Sequence, residues 1–407
     1  MKRKLLVLTI SIITLTFLMG CGISNNQPAY QSMDKMMNSI VIESNTEFAF
    51  DIFRELTIED ADENVFISPF SILTALTMAY QGAEGPTKDE MAEALRYDGI
   101  EILELNKDFN TILKYLNNLD RKIDLNINNS IWIRDGEKVK EDFIGVNKSA
   151  FNAEVNELDF SKHNSADIIN QWIDGATKGK ILRMIEPPIG PDVFMYLINA
   201  IYFKGEWSEQ FDKDHTQKSK FFLNDGREID VNMMIRTGNI EYGVGDNFTV
   251  VRLPYGNGKT SMYTILPNKG IPMEEFINSL NSYKWNEIKQ SLSMKEDLMV
   301  QIPRFKIEYG IKDLKNSLSN LGMKEAFTDY ADFSGIRENT SISRVLHKAV
   351  IEVNEEGSEA AAVTVAEVKT TAYMEPLTFT ANRPFVFVIS EDELGTILFT
   401  GKVNNIE

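Results

Sequence analysis

Early in the chain, apolar residues recur at helical spacing. Phe48, Ile52, Phe53 and Leu56 fall on one face of a 3.6-residue period, which predicts an amphipathic helix over residues 45–56. Ser68-Pro69-Phe70-Ser71 precedes an apolar run over 72–80, where Pro69 suits a first helical turn and Ser68 is the expected cap. A further helix is predicted to begin at Thr87, because Lys88, Asp89 and Glu90 complete a capping-box pattern. Residues 166–177 read as another helix, with Trp172 on its apolar face and a stop near Gly179.

Strand character dominates later. Residues 127–133 alternate, and 197–203 are almost wholly apolar, which suits a strand buried on both faces. Residues 248–254 and 261–267 flank Tyr255-Gly256-Asn257-Gly258-Lys259-Thr260, a hairpin with an Asn-Gly turn. Strongly apolar strands are predicted over 381–389 and 396–403, so partners far apart in sequence must pair. Gly258-Lys259-Thr260 looks like the end of a phosphate-binding loop. That loop needs a glycine where Leu253 stands and a helix where a strand follows, so nucleotide binding is rejected here.

The most informative pattern is VNEEGSEAAAVTVAEVKTT, residues 353–371. One parity, Ser358, Ala360, Ala362, Thr364, Ala366, Val368 and Thr370, is small and uncharged throughout, while Glu359, Glu367 and Lys369 fall on the other. A strand puts alternate side chains on opposite faces, so the segment suits a sheet with a snug buried face and a solvated one. Gly357 supplies a joint just upstream. An alanine-rich helix or an ordinary edge strand is the plainer alternative, and the β-branched run Val363-Thr364-Val365 disfavours the helix.

The 407 residues, 43% hydrophobic and 25% charged, can bury a large core. Lys2, Arg3 and Lys4 precede an uncharged apolar stretch that ends in Leu18-Met19-Gly20-Cys21. A basic segment followed by an apolar one reads as a leader peptide over residues 1–20. The four-residue end resembles the lipobox of bacterial lipoproteins, with Met19 departing from the usual smaller residue; the resemblance implies lipidation at Cys21 and anchoring in a bilayer at the bacterial cell surface, outside the cell. The alternative is a plain secretory signal with an incidental cysteine. Cys21 is the only cysteine, so no internal disulfide can form. Residues 21–40 read as a polar tether and 41–407 as one domain.

The formal net charge is −18, falling to −21 when the three basic leader residues are removed. That sign disfavours nucleic acid and heparin as partners. His163, His215 and His347 share no metal-ligand spacing, and no Gly-x-Ser-x-Gly elbow occurs, so neither an enzyme nor a cofactor is expected.

Seven pieces in order give the chain a close resemblance to the serpin family over about residues 45–404. They are residues 64–72 around Ser68-Pro69-Phe70-Ser71, 170–181 around Trp172, 199–207 ending in Gly205-Glu206-Trp207, Pro303-Arg304-Phe305, residues 331–336, residues 347–357 from His347 to Gly357, and Asn382-Arg383-Pro384-Phe385. The resemblance implies a mixed α/β (α+β) fold of three β-sheets surrounded by about eight or nine helices, with an exposed reactive-centre loop at about residues 355–378. It implies a monomeric serine protease inhibitor that acts as a suicide substrate. A protease cleaves the loop and is held as an acyl-enzyme while the loop inserts into the main sheet as an extra strand.

By the same resemblance, the hinge is Glu355, Glu356, Gly357, Ser358, Glu359, Ala360, Ala361 and Ala362, with Ser358 where the family usually has threonine. Ser68, Ser71, Asn199 and His347 match the shutter beneath the strands that separate, and Gly205 and Trp207 match the breach where insertion starts. Counting about seventeen residues from Glu355 puts the scissile bond at Thr371-Ala372; counting back from Asn382 points to Tyr373-Met374, the runner-up. Thr371 suits elastase-like or subtilisin-like proteases, and Tyr373 chymotrypsin-like ones. A cysteine protease target and a non-inhibitory surface-binding module remain the alternatives.

Overall fold

The computed structural model describes residues 39–358 and 377–406. It opens with α1 (Ile40–Glu59), capped by Ser39, whose Oγ accepts the Val41 N–H, and buries Phe48, Ile52, Phe53 and Leu56 as the spacing predicts. After β1 (Val65–Ile67) comes α2 (Pro69–Tyr80), with Ser68 as its cap and Pro69 in the first turn. The next helix, α3 (Gly85–Leu95), begins two residues before the predicted Thr87. Pro86 occupies its first turn, and the Thr87 hydroxyl accepts the Asp332 N–H and donates to Glu325 instead of capping. A tertiary contact has taken the group that the local pattern marked as a cap.

The chain continues through α4 (Ile102–Leu116), β2 (Ile123–Arg134), α5 (Glu141–Phe151), β3 (Glu154–Leu158), α6 (Ser165–Ala176) and β4 (Met195–Glu206). Next come β5 (Gln217–Phe222), β6 (Glu228–Val244), β7 (Phe248–Tyr255), β8 (Thr260–Pro267), α7 (Met273–Asn278), α8 (Ser282–Ser291), β9 (Ser293–Pro303), β10 (Phe305–Asp313), α9 (Lys315–Asn320) and β11 (Leu346–Val353). Last are β12 (Gly357–Ser358), β13 (Thr378–Thr380), β14 (Phe385–Glu391) and β15 (Thr396–Val403).

Among the described residues these strands make three sheets. The largest runs β1-β15-β14-β8-β7-β6-β9-β13, with β5 paired to β6. A second runs β12-β4-β2-β3, and the third is the antiparallel pair β10-β11. The predicted hairpin is β7-β8, with Phe248 opposite Pro267. The predicted strand over 381–389 starts only at Phe385, because Pro384 has no N–H to give to a ladder.

One large core joins α1 and α2 to the biggest sheet. A smaller one lies under α6, where Ala166, Ile169 and Ile173 pack on Trp132 of β2 and Ile198 of β4. Trp172 sits at the rim of that apolar face, half-buried, with its indole N–H on Glu154. β4 departs from the expected two-sided burial: Met195, Tyr196, Leu197 and Phe203 are only half-buried. Among the described residues, one of its edges is laddered to β2 over almost its whole length, while the other meets strand pairing only at its end.

Candidate functional site

No ladder joins β4 to β11 among the described residues. The two strands flank a cavity, with Ile201, Tyr202 and Phe203 on one side and Ala349 to Glu352 on the other. Phe66 and Phe399 line its apolar end, and Ser358 stands at its margin. Among the described residues, no strand lies between those facing edges beyond the short entry at Gly357 and Ser358.

The chain enters that position at one end. Leaving β11 at Val353, it turns through residues 354–356 and forms β12, where Gly357 pairs with Glu206 and Ser358 with Gly205, antiparallel to β4. Two glycines make the approach possible. A Cβ on Gly357, at φ +148°, would lie 2.1 Å from the Gly205 carbonyl oxygen. One on Gly205 would lie 2.8 Å from the Tyr255 ring. Neither backbone can move aside without breaking β12 from β4.

An aromatic and ionic clamp surrounds this turn. Trp207 stacks on Tyr255 with ring centroids 4.4 Å apart and planes 10° from parallel. The Trp207 indole N–H donates to the Asn354 carbonyl at 2.9 Å, and its backbone N–H to the Glu356 carbonyl at 2.9 Å. Glu355 is 1% exposed, and its carboxylate accepts Arg304 Nη2 at 2.6 Å and Thr216 Oγ1 at 2.6 Å. Burial pushes the Glu355 pKa up, but the hydrogen bonds from Arg304 and Thr216 prevail and hold it below the usual carboxylate value. Glu356, also buried, takes Lys213 through Oε1.

The predicted shutter residues form two connected groups. Ser71 Oγ bonds Asn199 Oδ1, and Asn199 Nδ2 donates to Asn129 Oδ1 at 2.7 Å. Ser68 Oγ donates to the Leu398 carbonyl at 2.8 Å and accepts the Ser71 N–H at 3.3 Å. The Ser68 backbone N–H donates to His347 Nε2 at 3.2 Å, joining α2 to β11. An Nε2 that accepts a hydrogen bond is unprotonated, and burial pushes the His347 pKa down to about 4. The cluster thus ties β4 and β11 to the same helix start through polar contacts beneath the cavity.

Ser68, Ser71, Asn199, His347, Gly205, Trp207, Glu355, Glu356, Gly357 and Ser358 therefore all surround one slot. Glu359, Ala360, Ala361, Ala362, Thr371, Ala372, Tyr373, Met374 and Cys21 lie outside the described residues. Sequence reasoning missed Asn129, Thr216 and Tyr255. Asn129 is an uncharged residue opposite Asn199 in the β2-β4 register, and only pairing reveals it. In the sequence Tyr255 marks only the start of a hairpin turn. Arg304 was visible inside Pro303-Arg304-Phe305, but nothing in the chain pointed it at Glu355.

Residues 43–406 match the family model described as Serpin (serine protease inhibitor). The chain belongs to the serpin family. It is 34% identical over 380 residues to an uncharacterized serpin-like protein of Methanosarcina acetivorans, covering 91% of this chain and 89% of that protein. It is 34% identical to intracellular coagulation inhibitor 2 of Tachypleus tridentatus, covering 88% of this chain and 90% of that one. The crystal structure of the thermophilic serpin tengpin in its native state matches with a TM-score of 0.82 at 32% identity, over 90% of this chain and 94% of that chain. The mixed α/β serpin fold expected from the sequence is the fold observed.

Proposed function

We propose that this chain is a suicide-substrate inhibitor of serine proteases. The observation that carries the reading is the pairing of Gly357 and Ser358 with the end of β4, at the mouth of the cavity between β4 and β11, which no other described strand enters. Ser358 is 2% exposed and its hydroxyl meets buried Tyr255, so its side chain points inward. A strand continued from Ser358 with period two puts Ala360, Ala362, Thr364, Ala366, Val368 and Thr370 on that same inward face. Small side chains fit above Phe66, Phe203 and Phe399, and the charges fall on the outward face.

In this reading the protease serine attacks the Thr371 carbonyl carbon, the Thr371-Ala372 C–N bond breaks, and the amine of Ala372 leaves with the downstream segment. The Thr371 acyl group stays on the protease as an ester. Inserting roughly fourteen residues at about 3.3 Å each carries the tethered protease some 45 Å from the site of attack. The ester survives only if insertion outruns water.

Cys21 is the proposed lipid attachment point, which would hold the inhibitor at the bacterial cell surface. Cys21→Ser should move the protein from the membrane fraction to the medium or soluble fraction; unchanged membrane retention would remove the anchor.

The inhibitory reading is tested by mixing the protein with subtilisin, an elastase, chymotrypsin and papain, followed by denaturing gels and mass analysis of the released peptide. A complex that survives denaturation, with a peptide beginning at Ala372, is expected; a start at Met374 would select the runner-up bond. A complex with papain alone would reassign the target to cysteine proteases. Cleavage by all four with no complex would turn the reading to a binding module.

A further inference from the structure

Away from the slot, a cleft of about 610 Å³ lies between α6 and the sheet edge made by β2 and β3. Asn128 and Asn129 come from β2, Asn152 from the α5-β3 connection, Glu154 from the start of β3, and Gln171 and Trp172 from α6. The side chains of Asn128, Asn152 and Gln171 make no hydrogen bond with any described residue. Asn152 and Gln171 are exposed and Asn128 is half-buried, so the donors and acceptors of all three carboxamides are open to a ligand in the cleft.

The lining selects a chemical class. No Lys or Arg is present among the lining residues, and Glu154 contributes negative charge, so phosphate, sulfate and carboxylate ligands are repelled. The apolar surface is limited to Trp172 and small residues such as Ala153 and Ala176, too little for a lipid. A carboxamide both donates and accepts, as a sugar hydroxyl does. An indole face attracts the polarised C–H groups of a pyranose ring. The volume falls within the range of small-ligand sites and suits one or two sugar rings.

The cleft also touches the shutter. Asn129 donates through Nδ2 to the Phe151 carbonyl at 2.7 Å and accepts Asn199 Nδ2 at 2.7 Å. Asn199 in turn bonds Ser71. A ligand spanning Gln171 and Asn128 would tie α6 to β2 directly above this chain of contacts.

We infer that the cleft between α6 and the β2-β3 edge binds a neutral mono- or disaccharide, and that occupancy holds α6 against the sheet and slows loop insertion. The second half rests on the inhibitory reading; the first does not.

Saturation-transfer NMR and calorimetry on the intact protein test the binding, with glucose, N-acetylglucosamine, cellobiose and N,N′-diacetylchitobiose each at about 10 mM, where millimolar affinities are readable. At least one should bind. The double variant Asn128→Ala, Gln171→Ala should weaken binding at least about tenfold. Gly175→Leu should do the same by filling the cleft, since a Cβ there meets no heavy atom within 4 Å and the helix is not disturbed. Unchanged melting of both variants shows that the fold is intact. No transfer to any of the four sugars, or undiminished binding in both variants, overturns the site. For the coupling, a saturating sugar should raise the cleaved-to-complexed ratio with the inhibited protease at least about twofold, and this shift should vanish in Gly175→Leu. Binding with no change in that ratio overturns the coupling, whereas failure of all four proteases to form a complex leaves the NMR result standing by itself.

Discussion

The hydroxyl of Tyr255 lies 2.9 Å from the Oγ of Ser358, with both groups buried. This contact turns the Ser358 side chain of β12 into the core, and under the proposed insertion it would set the parity of the strand continued from it. Trp207, stacked on the opposite side of the relationship through the Tyr255 ring, holds the turn that delivers Ser358 to the slot.

Tyr255→Phe keeps the stacking and removes the bond. One buried hydrogen bond between neutral groups contributes about 1 kcal/mol, and Ser358 is left without its partner. The intact protein should lose about that much stability in urea unfolding at unchanged m-value. A loss well below this would show that Ser358 is not held by Tyr255.

Arg304→Ala removes one of the two side-chain donors to buried Glu355. Because Arg304 is 43% exposed, solvent screens the pair, and a loss of about 1–2 kcal/mol is expected. The clamp restrains the turn before β12, so the variant should also lose inhibitory activity faster on warm incubation, through insertion of the uncleaved loop. Parallel decay of variant and parent would show that the clamp does not hold the hinge back.

His347 makes stability depend on pH. Its folded pKa, about 4, is below the ordinary imidazole value of 6.5, so the unfolded chain binds the proton first as pH falls. The stabilisation is complete above about pH 6.5, declines through the window from 6.5 to 4 and is flat below, a loss on the order of 3 kcal/mol. His347→Gln should flatten that window in equilibrium unfolding. A slope unchanged by the substitution would assign the dependence to other groups.

In the proposed inserted strand, Ala362→Glu would place a charge on the same face as the buried Ser358 side chain. Burying an unpaired carboxylate opposes insertion by several kcal/mol, so the variant should be cleaved and released without a complex. Glu359→Ala, on the other parity, should inhibit normally. Retained inhibition by Ala362→Glu would undo the parity reasoning.

Local patterns were legible wherever one element decides its own form. The α1 stripe, the Ser68-Pro69 start, the β7-β8 hairpin and β15 follow from spacing and turn chemistry alone. Thr87 misled because its hydroxyl serves Asp332 and Glu325, residues more than two hundred positions away. The apolar run 197–203 overstates burial because apolarity marks what a strand can bury, and among the described residues one edge of β4 meets strand pairing only at its end. The shutter and breach residues were found through family-like motifs. Asn129, Thr216 and Tyr255 carry no such local signature and become visible only when β2, β4, β7 and the hinge turn are brought together.

Under the proposed inhibition, the chain is stabilised when the cleaved loop enters the sheet between β4 and β11. The most direct test is thermal unfolding of the intact protein beside protein nicked once in the 355–378 loop, with both fragments retained. A markedly higher melting temperature after cleavage is expected, since the freed segment can complete the sheet between β4 and β11. Melting at or below the temperature of the intact protein would contradict the account.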